Sequence, residues 1–471
     1  MMNLSIIRIH YLKRLELESL RRLLGLKEVS VNIYNLVSFL GIFVLLGIAW
    51  LISSNKRNVN YRVILWAIAL QMVFGAFVFL LPAGAKVFLF LNDLVVKVLG
   101  SASAGAEFVF GRLALPPGTK NQYGETSLGF FLAFQGLPTI IFFSALMSIL
   151  YYFNIMQSVI KGFSYAFTRL MRVSGAESLS AASNIFVGIE SALTIKPYLN
   201  EMTRSELCTI LTAGMATVAS NILALYIFSL QDQFPTIAAH LISASVLSAP
   251  AAVAMSKLVL PEDSHPKTLG VEVDPYYEKE GGMFESIING AENGVKLIIG
   301  VAALLIAILG LVALLDLFTV GVGGYVNGLL GVHIDWSLKG LMGYLFYPLT
   351  VIIGVPLQDA YTISKIIGER TIVTEVVSYH DLALALKEGL IADPRSPVIT
   401  AYALCGFAHV ASMAIFVGGL AALAPVRKKD IAAVGFRALL AATLACLMTA
   451  CIAGLFYTGS SALLGTGVVS Y

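Results

Sequence analysis

Apolar residues run along the chain in blocks about as long as a bilayer is thick, with polar residues clustered between them. Residues 33–53, 207–230 and 297–315 carry no charged side chain. Each comes close to the roughly 20 residues a spanning helix needs. Further runs cover 63–82, 131–153, 235–256, 340–357, 398–424 and 438–457. This pattern predicts an all-α polytopic membrane protein. A single long polar stretch, PEDSHPKTLGVEVDPYYEKEGG at 261–282, interrupts it and reads as an exposed connection. The next segment, MFESIINGAENGVK, is amphipathic. It is expected to lie along the membrane interface ahead of the span at 297–315.

Two segments are too polar to face lipid. GAESLSAASNIFVGIESALTIKPYLNEM, 175–202, and GVPLQDAYTISKIIGERTIVTEVVSYHDL, 354–382, are studded with Ser, Thr, Asn and carboxylates. Each reads as two short helices folded back as a re-entrant hairpin, which membrane depth tolerates only against protein or a wet cavity. Each is followed by a copy of one motif. GMATVAS at 214–220 and GFAHVAS at 406–412 share five identities, 192 residues apart. Polar and small residues there, with Asn221 close by, predict partly unwound spanning helices. Paired interrupted segments in two halves mark the binding site of a secondary transporter.

Glu190 falls near the turn of the first hairpin and Glu375 at the matching place in the second. A carboxylate at membrane depth faces a cavity or a partner. The two are expected to share a polar site; pairing with Lys196 and Arg370 is the structural alternative.

Composition agrees with the pattern. The 471 residues are 58% hydrophobic and 13% charged, about half the charge of a soluble domain. Mean hydropathy is +0.84. A net charge of +3 leaves no nucleic-acid footprint. Cys208, Cys405, Cys446 and Cys451 lie in apolar runs without metal-ligand spacing and read as small core residues. No HExxH motif occurs and the six histidines are scattered, which argues against an enzyme. Residues 1–32 are basic and amphipathic, with no evident cleavable signal, and read either as a membrane-surface segment or as a dispensable leader. The basic loop SNKRNVNYR and that basic arm flank the first span on opposite sides, so charge alone does not orient the chain.

Several ordered stretches resemble the concentrative nucleoside transporters: LPTIIFFSALMSILYYFNIMQ at 137–157, AESLSAASNIFVG at 176–188, KPYLNEMTRSEL at 196–207 and ALCGFAH at 403–409. The similarity runs over roughly residues 35–457. It implies inverted repeats, an elevator-type transporter and a homotrimer in a lipid bilayer. Taken with the compact length, a bacterial inner membrane is expected. The expected division is an N-terminal segment 1–32, scaffold spans 33–136, a first hairpin and unwound helix 137–230, further scaffold 231–339, a second hairpin and unwound helix 340–424, and a C-terminal span 425–471.

The resemblance also implies site residues. A sodium ion, the expected coupling ion, would take oxygens of Asn184, Val187, Thr217 and Val218; hard neutral oxygens suit a small hard cation. A proton is the rival coupling ion. Glu375 matches a carboxylate that accepts from ribose hydroxyls, Ser412 a serine beside it, and Phe407 an aromatic against the nucleobase. The sequence departs from the family where substrate sits. The first hairpin's GQTEAPL is GIESAL here, with Ile189 where the base-contacting Gln and Thr are lost and Glu190 matching the motif's Glu. The second hairpin's Asn–Glu–Phe is Thr374, Glu375 and Val376, and an Asn of the second unwound helix is His409. His409 is expected to meet substrate, or to pair with Glu375 or Asp359. The implied function is cation-coupled import of nucleosides or a related ribosyl compound. The alternative is a ligand sensor on a diverged transporter fold.

Overall fold

The computed structural model describes residues 32–188, 190–277 and 280–459. Residues 1–31 of the basic arm, and Ile189, lie outside these. Among the described residues, eight helices are long and apolar enough to cross a membrane. The repeated elements are arranged as the polar interruptions predict. Helix Gly175–Asn184, a turn and the short helix Ser191–Thr194 form the first hairpin. Helices Leu357–Arg370 and Glu375–Lys387 form the second. The run 207–230 splits into Arg204–Ala216 and Ser220–Leu230, and the run 398–424 into Arg395–Leu404 and Val410–Leu423.

The glycines of the two GxAxVAS copies show why the copies exist. A Cβ at Gly214 would stand 2.4 Å from the Phe416 ring, and one at Gly406 would stand 2.7 Å from the Ala216 carbonyl carbon. Gly406 also has φ +132°, a backbone that side chains resist. The two broken helices therefore touch where each repeat carries its glycine.

Helix Ile237–Val259 runs through the middle of the bundle and is built from small residues, IAAHLISASVLSAPAAVAMSKLV. In its apolar window 94% of residues are buried. Lipid offers no hydrophobic drive between helices, so close contact through Ala and Ser does the packing. The spans Ile33–Leu51 and Tyr61–Phe79 lie against helices Lys428–Phe456 and Ile237–Val259. Arg395, fully buried, ties this bundle together. It donates to Tyr34 O (2.9 Å), Ser38 Oγ (2.8 Å), Gly354 O (2.9 Å) and Gly454 O (2.6 Å).

Two elements differ from the sequence reading. The amphipathic segment at 283–296 is not a separate interfacial helix. It continues into the span as one helix, Met283–Leu330, of 48 residues. At ~1.5 Å per residue that is roughly 72 Å, over twice the ~30 Å hydrocarbon core. Its polar end is packed against helix Pro138–Tyr152. A Cβ at Gly294 would lie 2.6 Å from Ile141 Cα, and one at Gly290 would lie 2.8 Å from Ala145 Cα. Only 6% of its apolar window is buried in the chain. The second difference is the 29-residue helix Pro82–Phe110, absent from the predicted runs because Asn92, Asp93 and Lys97 dilute its hydropathy. Asn92 is buried and accepts from Ala239 N at 3.3 Å.

Candidate functional site

Each hairpin is fixed at its base by buried polar groups. In the first, Ser174 and Glu177 form a capping box, and Glu177 pairs with Lys257 at 2.5 Å. Lys257 also reaches Ser205 Oγ (3.0 Å) and Glu262 (3.2 Å). In the second, Asp359 accepts from Ala392 N (2.9 Å), Asp393 N (3.0 Å) and Ser396 Oγ (2.6 Å). Asp359 is thus an anchor for the loop before Arg395, and the expected option of a pairing with His409 does not hold.

The tips are joined to the helix breaks in the same way in both halves. Ser220 N donates to Phe186 O at 2.9 Å, and Val410 N donates to Thr371 O at 3.3 Å. Asn184 closes the first hairpin. Its Nδ2 donates to Ser180 O and its Oδ1 accepts from Ser191 Oγ, both at 2.9 Å. Thr217 is extended (φ −119°, ψ 165°) and its hydroxyl donates to Ala213 O at 2.9 Å. Ser245 Oγ bridges the two elements, 3.1 Å from Ile185 O and 3.4 Å from Val218 O. Asn184, Thr217 and Val218 are buried here, and Val187 lies half-buried at the turn.

Glu190, Thr374, Glu375, Phe407, His409 and Ser412 line one cavity of about 520 Å³. The long helix closes its far side with Lys296, Leu297 and Leu304. An adjoining cavity of about 340 Å³ shares Glu190, Asn221 and Leu297 with it and includes Val187 and Lys196. Glu190 is exposed to this space. Both carboxylates therefore reach one cavity, from the start of each hairpin's second arm.

Glu375 is 3% exposed and does not pair with Arg370. Its Oε1 accepts from the Tyr226 hydroxyl at 2.6 Å, and its Oε2 lies 2.9 Å from His409 Nε2. His409 caps helix Val410–Leu423, with Nδ1 accepting from Ser412 N at 3.3 Å. That role places the neutral ring's proton on Nε2, which faces both Glu375 and Ser412 Oγ, the latter at 2.6 Å. Tyr226 in turn stacks on Tyr379 at 4.6 Å, and Tyr379 donates to Ala401 O at 2.9 Å. The cavity wall is a preorganised acceptor held by the Tyr226 hydroxyl and set close to the His409 ring, with lone pairs to spare for a ligand's hydroxyls.

Tyr226 and Ser245 were not singled out in the sequence. Tyr226 reads as one more aromatic in an apolar run, and Ser245 as one of four serines in its helix. Asn221, whose position beside the first break was the available signal, lines both cavities.

Comparison with known proteins places this architecture. Three family models match: the N-terminal part of Na+ dependent nucleoside transporters at residues 40–113, a nucleoside recognition (gate) region at 133–233, and the C-terminal part of Na+ dependent nucleoside transporters at 240–454. Solute carrier family 28 member 3 of Mus musculus is 37% identical over 446 residues, 92% of this chain. The chain spans 60% of that relative's length. The nucleoside permease NupC of Helicobacter pylori is 38% identical over 90% of this chain and 98% of its own. The structure of CNTnw in an inward-facing substrate-bound state superposes with a TM-score of 0.80 at 35% identity, covering 90% of this chain and 98% of that one. The chain belongs to the Na+-dependent nucleoside transporter family.

Proposed function

We propose that the protein is a sodium-coupled symporter that imports nucleosides, or a related ribosyl compound, across a bacterial inner membrane. The observation that carries this reading is the Tyr226–Glu375–His409–Ser412 chain on the wall of the 520 Å³ cavity. In it Glu375 accepts from vicinal ribose hydroxyls, His409 and Ser412 meet the same sugar, and the Phe407 ring faces the base. Thr374 and Glu190 complete the wall, and in the sequence Ile189 replaces the Gln and Thr of the family's hairpin motif. Fewer polar contacts to the base mean weaker discrimination between bases.

Sodium is a co-substrate here. Asn184 Oδ1 and Thr217 Oγ1 each keep a lone pair beyond the bonds they make, and the carbonyls of Val187 and Val218 add two neutral oxygens. Unwound carbonyls of this kind hold ions in other transporters. An ion at this place orders the turn that carries Gly188 and Glu190, and so couples its own binding to closure of the cavity. The hairpin bundle then moves against the long helix, elevator-fashion, within a homotrimer. The His409–Glu375 contact favours a second reading of the coupling ion, in which that pair carries a proton.

Uptake of labelled uridine and adenosine into proteoliposomes, under an inward sodium gradient, a proton gradient or neither, tests the proposal. Sodium-driven accumulation is expected. Accumulation under a proton gradient alone transfers the coupling to the His409–Glu375 pair, and no uptake under any gradient by folded protein refutes nucleoside import.

A further inference from the structure

The 520 Å³ cavity is bordered by buried polar atoms that the fold leaves without a partner. Thr374 and Glu375 line it, and Thr374 Oγ1 and Glu375 Oε2 make no hydrogen bond. A buried polar atom left unpaired costs about 1–3 kcal/mol, so such atoms point to something that binds them. The adjoining cavity of about 340 Å³ carries the same mark. Ser144, Tyr151 and Glu280 line it, and Ser144 Oγ, Tyr151 Oη and Glu280 Oε2 are buried without a hydrogen bond. Its volume lies within the range of about 300–1,000 Å³ usual for small-molecule pockets.

The elements around this second cavity hold their side chains in place. Ser144 and Tyr151 stand on helix Pro138–Tyr152, and Asn293, exposed to the space, stands on the long helix packed against it. Tyr276 and Tyr277 come from the polar connection, which is fastened down. Tyr276 N donates to Thr194 O of the first hairpin at 2.8 Å, and Asp274 pairs with Lys161 at 2.6 Å. The Tyr277 ring stacks on Tyr151 at 5.7 Å with 16° between the planes. The other Glu280 oxygen accepts from Asn289 Nδ2 at 3.0 Å, which aims the carboxylate. The chemistry repeats that of the first cavity: a carboxylate and a phenol for hydroxyls, and aromatic faces for a planar base. Glu190 and Asn221 border both cavities, so a ligand moving from one to the other passes the tip of the first hairpin.

We propose that the second cavity is a further ribosyl site, in series with the first, that holds one nucleoside in transit past Glu190. The proposal rests on the nucleoside reading above. Glu280 and Tyr151 take the ligand's hydroxyls there, and the tyrosine pair faces its base. A site on a transport route must release what it binds, so this one is the weaker of the two.

Binding of labelled uridine to the detergent-purified full chain, by equilibrium dialysis to saturation, tests this. Two uridines per chain are expected, in a tighter and a weaker phase. Glu375→Gln should lose the tighter phase and keep the weaker. Tyr151→Phe should weaken the weaker phase by at least about tenfold. If Tyr151→Phe does not fold by its melting profile, Glu280→Gln, at the end of the polar connection, decides by the same reading. One uridine per wild-type chain would overturn the second site while leaving nucleoside import intact, as would an unchanged weaker phase in a folded Tyr151→Phe or Glu280→Gln variant. No uridine bound by folded wild-type protein would refute the nucleoside reading and this proposal together.

Discussion

Replacing Glu375 by Gln keeps the shape of the cavity wall and removes one charge and one acceptor. A carboxamide oxygen can still accept from the Tyr226 hydroxyl, now held at 2.6 Å. Its NH2 then faces His409 Nε2–H, donor against donor. The ring cannot move its proton to Nδ1 without leaving the Ser412 N–H unmet. Losing the charged contact and loosening the cap costs about 1–3 kcal/mol of stability, which a polytopic bundle of this size tolerates. The effect on substrate is larger in proportion. Bonds from two ribose hydroxyls to a carboxylate are roughly twice as strong as bonds to a neutral acceptor. Their loss, with the reoriented imidazole, amounts to about 2–4 kcal/mol, or roughly 30- to 1000-fold in affinity. Equilibrium uridine binding to detergent-purified protein, read beside its melting temperature, separates the two effects. Affinity within about threefold of wild type, together with a lowered melting temperature, would show that Glu375 only holds the fold, and the ribose-binding argument would be wrong.

Three further outcomes follow from the geometry. Tyr226→Phe leaves Glu375 Oε1 without its donor, so uridine affinity should fall by about tenfold while trimer size on a sizing column stays unchanged. Gly406→Ala forces a Cβ to 2.7 Å from the Ala216 backbone at φ +132°; about 2–4 kcal/mol of lost stability and near-complete loss of uptake are expected, whereas Gly100→Ala, in open space, should match wild type in the same melting assay. Lys257→Met strands Glu177 at 1% exposure, which should lower stability by about 3–5 kcal/mol; adding Glu177→Gln should recover part of the loss, and additive losses would argue against the ion pair as the cause.

How much could be read from the sequence depended on how far apart the deciding residues lie. The hairpins were readable because carboxylates and hydroxyls inside apolar runs must face something other than lipid, and the runs themselves are local. The broken helices were readable because Gly214 and Gly406 repeat in register. Asp359 was not. Whether a carboxylate caps a loop or meets a histidine is decided by backbone N–H groups at 392 and 393, over thirty residues away. Tyr226 was hidden because its partner lies 149 residues downstream. The Met283–Leu330 helix reads as two elements in the sequence because its character changes from amphipathic to apolar. Such a change does not end a helix in the absence of a breaker, and Gly290 and Gly294 turned out to be contact points.

The Arg395 knot also has a bearing on how the chain is made. Its acceptors lie at residues 34, 38, 354 and 454, so the guanidinium joins helix Ile33–Leu51 to helix Lys428–Phe456. A ribosome adding about 5–20 residues per second needs on the order of half a minute to pass from one to the other. Throughout that interval the N-terminal span sits in the bilayer with Ser38 and Asn35 lacking the partners they have in the finished protein. The insertion machinery, or the lipid itself, must hold that helix in waiting until the turns around Gly454 arrive.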